Sequence, residues 1–166
     1  KRKNIKNLLL SFDQYKKNNG QSKLLIIGEN KWLDKSTKKI HQKMNYTNDV
    51  FFLGRLKNSE LVDILGSAKA LCFISLFEGF GLPIIEAMKC NVPVITSNTS
   101  CMPEIADNAA IIINPHSTEE ISNAMMQIEK NPMTRKSLIK NGENRIKDFD
   151  WSKSANLIWK IIKSIN

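Results

Sequence analysis

The sequence predicts an α/β fold, a doubly wound, mainly parallel sheet of the Rossmann-like kind, and three observations carry that prediction. Short apolar runs recur along the chain at Leu24 to Ile27, Val50 to Leu53, Ala70 to Ile74, Val92 to Thr96 and Ala109 to Ile113. Segments with apolar residues at helical spacing alternate with these runs. No hairpin signal joins one strand to the next, so the connections read as crossovers, which parallel strands require.

Each element has its own warrant. Ile5, Leu8, Leu9 and Phe12 recur at helical spacing, and Asn19-Gly20 stops that helix. Leu24 to Ile27 is a continuous apolar run closed by Gly28, the pattern of a strand buried on both faces. A poorly patterned helical stretch, Trp32 to Met44, leads to the strand Val50 to Leu53 and to Gly54. Helix Ser59 to Leu65, strand Ala70 to Ile74, helix Leu82 to Lys89 and strand Val92 to Thr96 follow, then a loop containing Pro103. After strand Ala109 to Ile113, Ser117 and Glu120 have the spacing of a capping box for a helix burying Ile121, Ala124, Met125 and Ile128. Asn131-Pro132 opens another helix with proline at its first position. Trp151 to Ile162 closes the chain with the stripe Ala155, Ile158, Trp159 and Ile162.

Composition narrows the class. The 166 residues are 42% hydrophobic and 25% charged, which suits one soluble globular domain. The longest apolar run, Ala70 to Phe77, is interrupted by Ser75 and falls far short of the roughly 18 residues of a membrane span. The basic start lacks the apolar core and cleavage site of a signal peptide, so the expected compartment is the cytoplasm. Cys72, Cys90 and Cys101 have no CxxC spacing, as expected of reduced, partly buried thiols. The net charge of +9 is compatible with nucleic acid, an anionic membrane surface or a phosphorylated ligand. Much of it lies at Lys1, Arg2, Lys3 and Lys6 and at Lys31, Lys35, Lys38, Lys39 and Lys43, where no stacking aromatic pattern of a single-strand binder occurs. His41 and His116 are isolated in sequence, with no metal-site or triad pattern around them.

In open α/β sheets ligands lie outside the carboxyl ends of the strands, near the switch in strand order. The informative loop is the one after Ile74, reading SLFEGFGLPIIE from Ser75 to Glu86. Gly79 and Gly81 let the backbone approach a ligand closely or adopt positive φ. Pro83 suits the first turn of a helix whose free amides form an anion site, while contributing no amide itself. Glu78 precedes that helix and Glu86 lies within it. Carboxylates accept pairs of hydrogen bonds from sugar or ribose hydroxyls and repel phosphate. An amide cradle with a carboxylate at each end therefore asks for a phosphate flanked by hydroxyls. As a simple turn, the same residues would only shape and cap the helix.

The strings VFFLGRL, AKALCFISLFEGFGLPIIEAM and VPVITSNTSCMPEIADNAAIIINP, with RKNIKNLLLSF and KDFDWSKSA at the two ends, resemble the donor-binding half of a retaining glycosyltransferase of the two-Rossmann-domain (GT-B) type, glycosyltransferase group 1 or family 4. The resemblance implies that Glu86 holds the ribose hydroxyls and that Glu78 contacts the donor sugar near its reacting carbon. It implies that the backbone of Gly79, Phe80 and Gly81 touches sugar hydroxyls, and that amides near Leu82 meet the diphosphate. Arg2 and Lys3 match the family's cationic pair, which neutralises the leaving diphosphate. Arg55 and Leu56 fall where the family receives the base. Asn98, Thr99 and Ser100 are further candidates for the cleft, and Glu104 is a structural one.

The resemblance implies no cofactor and no divalent metal, and no Asp-x-Asp string lies near the loop. The donor is a nucleoside diphosphate sugar. The acceptor, a glycan or lipid-linked sugar, would be held by an N-terminal domain that these residues do not include, with peripheral contact to a membrane and no nucleic acid as partner. The apolar strand that should precede the phosphate-binding loop is also not among them. Residues 1–166 are therefore expected to form the donor-binding domain alone, to be poorly stable in isolation, to bind donor weakly and to transfer nothing. Two alternatives stand beside this reading: a sugar-nucleotide epimerase of the same architecture, and a non-catalytic module that binds a nucleotide or an anionic surface.

Overall fold

The computed structural model describes residues 2–29 and 34–165. Its five strands are β1 Leu24–Ile27, β2 Val50–Gly54, β3 Leu71–Phe73, β4 Val94–Ser97 and β5 Ala110–Ile113. The helices are α1 Ile5–Lys17, α2 Lys35–Lys43, α3 Asn58–Gly66, α4 Leu82–Lys89, α5 Met102–Ala106, α6 Thr118–Lys130, α7 Pro132–Arg145 and α8 Trp151–Ile165. Every strand pair is parallel, as crossover connections require. The sheet comes in two pieces, β1-β2 and β3-β4-β5. Between β1 and β3 runs a groove of about 990 Å³ lined by both strands and by residues of α1, α3 and α6.

Two clusters bury the apolar faces. Leu9, Phe12 and Tyr15 of α1 meet Ile121, Ala124 and Ile128 of α6, and Leu24 and Ile26 pack against them. Ile84, Ile85 and Met88 of α4 meet Val94 of β4 and Met102 and Ile105 of α5. β4 is the fully buried strand. Its hydroxyls are satisfied across to β3: Thr96 Oγ1 donates to Phe73 O at 2.8 Å and Ser97 Oγ to Ser75 O at 2.7 Å.

Several expectations are corrected. β1 is not buried on both faces: Leu25 and Ile27 remain 44% and 36% exposed. The strand is paired on one edge only, and the other opens on the groove. The segment around Pro103 is a short helix, α5, with proline in its first turn. The capping box is half formed. Ser117 Oγ accepts from Glu120 N–H, but the Glu120 carboxylate accepts from Asn114 N–H, because Ser117 N–H is already donated to Asn114 O. α2 begins at Lys35, and the expected start near Trp32 lies outside the described residues. The stripe on α8 is exposed, Ile158, Trp159 and Ile162 among it.

Candidate functional site

The carboxyl ends of β3 and β4 carry the site. Asn4 is a non-glycine residue in the left-handed region, with φ 55°, and it is buried. Asparagine tolerates that conformation because its short amide finds local partners. Here its Nδ2 donates to Ile74 O at 3.2 Å and to Pro115 O at 2.7 Å. Leu76 N–H donates to Arg2 O at 2.9 Å. These bonds pin the first residues across the ends of β3 and β5.

Arg2 and Lys3 thereby meet Glu78. Arg2 Nη1 lies 2.6 Å from Glu78 Oε2 and Lys3 Nζ 2.7 Å from Oε1. The ammonium of Lys3 also sits 5.0 Å from the Phe73 ring centroid. Glu78 is only 8% exposed. Burial alone would raise its pKa; hydrogen bonds from Lys3 and Ser75 and the charges of Lys3 and Arg2 outweigh it and hold the carboxyl below its ordinary value. The two cations thus keep a partly desolvated carboxylate ionised.

Ser100, with φ 56°, grips the Glu78 peptide from both sides. Its hydroxyl donates to Glu78 O at 2.7 Å and accepts from Glu78 N–H at 3.3 Å. Cys101 Sγ adds a contact to the same carbonyl at 3.3 Å, and Thr99 Oγ1 donates to Leu76 O at 3.1 Å. The polar loop after β4 therefore shapes the loop after β3.

The two glycines divide their work. Gly81, at φ 94°, is the N-cap of α4, and a Cβ there would lie 3.3 Å from Ile84 Cδ1. No side chain caps this helix; Pro83 has no N–H and Ile84 N–H is donated to Gly81 O at 2.9 Å, so in the first turn it is the Leu82 amide that faces a ligand. Gly79 does not share the positive φ, and a side chain there would meet open space. Phe80 is exposed but packs edge-on against Phe149, with ring centroids 6.0 Å apart, and Leu82 is exposed.

Glu86 is exposed and lines the groove that Lys3, Arg55, Leu56 and Pro83 also line. Arg55 is largely exposed, with Nη1 3.9 Å from Glu29 Oε1, and Leu56 is half-buried. Of the expected residues, Lys3, Arg55, Leu56 and Glu86 thus line one groove, and Arg2 and Glu78 join it through Lys3, whereas Gly79, Phe80, Gly81 and Leu82 do not line it. His116 is less isolated than its sequence context suggests. With Lys3, Asn7 and Asp34 it lines a second cavity of about 420 Å³, against which Lys3 also stands. Asn4 and the bonds of Ser100 to Glu78 are the features that sequence patterns did not single out.

Against known proteins, this geometry has a consistent company. The chain is 28% identical over 151 residues to the O-antigen chain mannosyltransferase B of Escherichia coli, covering 90% of this chain and 40% of that protein. It is 32% identical over 109 residues to the O-antigen chain mannosyltransferase RfbU of Salmonella typhimurium, covering 66% and 30%. The fold matches sucrose-phosphate synthase from Thermosynechococcus elongatus with a TM-score of 0.83 at 25% identity, over 99% of this chain and 42% of that one. The chain thus spans less than half the length of these relatives. The model of the family described as glycosyl transferases group 1 matches residues 1–145, and the chain belongs to that family.

Proposed function

We propose that residues 1–166 form the donor-binding domain of a retaining glycosyltransferase that moves a sugar from a nucleoside diphosphate to a glycan or lipid-linked acceptor. The observation that carries this reading is the cluster of Arg2, Lys3 and Glu78 ahead of the uncapped N-terminus of α4, with Lys3 and Glu86 lining one groove. Cations and amides together suit a diphosphate, and the two carboxylates suit hydroxyls on either side of it. Family membership and the curated relatives' names support the reading and put mannose first among the sugars to test.

In the reaction, the bond between the anomeric carbon and the diphosphate oxygen breaks, and the acceptor hydroxyl forms the new bond on the same face. The acceptor's proton is released, and the nucleoside diphosphate leaves with the bonding pair. Arg2 and Lys3 stabilise the charge that gathers on the leaving oxygens, and Glu78 faces the positive charge developing on the sugar. Gly79, Phe80 and Gly81 offer backbone groups to the sugar, and Leu82 offers its amide to phosphate. Glu86 takes the ribose, and Arg55 and Leu56 border the base. The proposal needs no metal and no cofactor; activity that chelation with EDTA abolishes would contradict that part.

Titration of the protein with GDP-mannose, UDP-glucose and the free diphosphates tests the binding step by calorimetry. Donor binding weakened about tenfold or more by Glu86→Ala and by Lys3→Ala is expected, the loss of one good polar contact being worth about 1.4 kcal/mol or more. No binding by any nucleotide sugar, alongside salt-dependent binding to nucleic acid, would overturn it. A product that forms without acceptor would identify an epimerase instead.

A further inference from the structure

The stretch between Glu78 and α4 is the part of the loop after β3 that its own main chain holds least. Ser100 grips the Glu78 peptide on one side, and Gly81 O accepts from Ile84 N–H at 2.9 Å on the other. Between them, the amides of Gly79, Phe80 and Gly81 donate to no partner among the described residues. The glycines widen the chain's choices, since Gly81 stands at φ 94° and a side chain at Gly79 would meet open space. Phe80 is the side chain between them, and its ring meets Phe149 edge-on, with centroids 6.0 Å apart and planes at 88°. Phe149, in the KDFDW string just past α7, packs against the cluster that holds Ile84, Met88 and Ile105. The guanidinium carbon of Arg145 lies 4.8 Å from its ring centroid. Arg145 is itself fixed, Nε donating to Ile105 O at 3.0 Å, Nη2 to Glu104 O at 2.6 Å, and Nη1 pairing with Asp148 at 2.8 Å. Gly142 lets α7 lie close on α4, for a Cβ there would stand 3.2 Å from Met88 Cγ. The base that carries Phe149 is thus tied to α5 and to the helix that the loop enters.

We infer that Phe149 is a positioning residue for the donor sugar, holding the main chain of Gly79, Phe80 and Gly81 in place through the Phe80 ring. The inference rests on the reading that this main chain meets the sugar. Uncommitted amides recognise hydroxyls well only if their geometry is set beforehand, because ordering them on binding subtracts from affinity. An edge-to-face aromatic pair sets that geometry without consuming a backbone donor or acceptor. The guanidinium against the Phe149 ring constrains that ring in turn. In the same reading Glu86 serves the ribose and Arg55 and Leu56 the base, none of which touches Phe80. Contact with the sugar therefore depends on Phe149, and contact with the nucleotide does not.

Phe149→Ala, Phe149→Leu and Phe149→Tyr test this beside the unchanged chain, by calorimetric titration with GDP-mannose, UDP-glucose and the matching free diphosphates. Phe149→Ala and Phe149→Leu are expected to weaken the sugar donor that binds by about three- to tenfold, the range of one aromatic pair, and to leave its free diphosphate within about twofold. Phe149→Tyr keeps the ring and should keep the affinity. Amide order parameters measured without ligand should stand at about 0.85 for Gly79, Phe80 and Gly81 in the unchanged chain and fall below about 0.6 in Phe149→Ala. Equal weakening of sugar donor and free diphosphate would make Phe149 a merely structural residue and overturn the inference. So would order parameters that stay the same, or a Phe149→Tyr chain as weak as Phe149→Ala. Binding of no nucleotide by the unchanged chain would instead overturn the proposed function, and the order parameters would still decide whether Phe149 holds the loop.

Discussion

Glu78 is held on its carboxylate by two cations and on its peptide by Ser100, so its position is set before any ligand arrives. In a longer protein carrying this domain, Lys3→Ala is expected to lower kcat by roughly 10²-fold or more, the magnitude typical of losing one group that stabilises developing charge. Steady-state kinetics with saturating donor checks it. Ser100→Ala removes both bonds to the Glu78 peptide and is expected to cost about 1 kcal/mol in urea unfolding. Much of this site was legible in the sequence, because Glu78, Gly81 and Glu86 share one strand-to-helix turn whose spacing carries its own physics. The approach of Arg2 and Lys3 to Glu78 spans some 75 residues, and only the resemblance brought them together. Asn4 escaped, and Ser100 was named only as a candidate for the cleft and not as a clamp on Glu78, because their left-handed backbones are imposed by contacts distant in sequence, which no local pattern encodes.

Among the elements, α1, α4 and α6 were readable because each carries a strong apolar stripe, and α5 was not because five residues make less than two turns, too few for a period to repeat. β1 is more exposed than its sequence suggests, since a run of apolar residues does not say how many of a strand's edges are paired. Opposite the site, Glu129 joins α6 to both halves of the sheet through Tyr15, Gln21, Ser22 and Lys69. Burial would raise its pKa, but the bonds from Lys69, Tyr15 and Gln21 prevail and bring it from 4.5 down to about 2. A folded-state value below the ordinary one means that stability is fully present above pH 4.5 and is lost as pH falls toward 2. Glu129→Gln should flatten that acid limb in urea melts taken across this range. Gly20 guards the same network, for a Cβ there would lie 2.3 Å from the Tyr15 ring. Gly20→Ala is therefore expected to cost about 1–3 kcal/mol, the range for overpacking, and to lower Tm.

At the scale of the whole molecule, the sheet's two pieces are joined by α1, α6 and the Glu129 bonds rather than by a continuous ladder. α8 adds a second open surface, with Leu157, Ile161 and Ile165 exposed along it. Two of the three tryptophans also stand on α8, Trp151 at 88% and Trp159 at 56% exposure. This has an optical consequence. Indole emission is weighted toward α8 and its immediate surroundings, whereas far-ultraviolet circular dichroism weighs every helix. A melt followed by fluorescence should not superimpose on one followed by dichroism, and coincident curves would mean that α8 unfolds together with the rest. Anything that settles on α8 would shift that emission to the blue without touching the loop after β3, so the chain carries its own reporter for whatever covers its last helix.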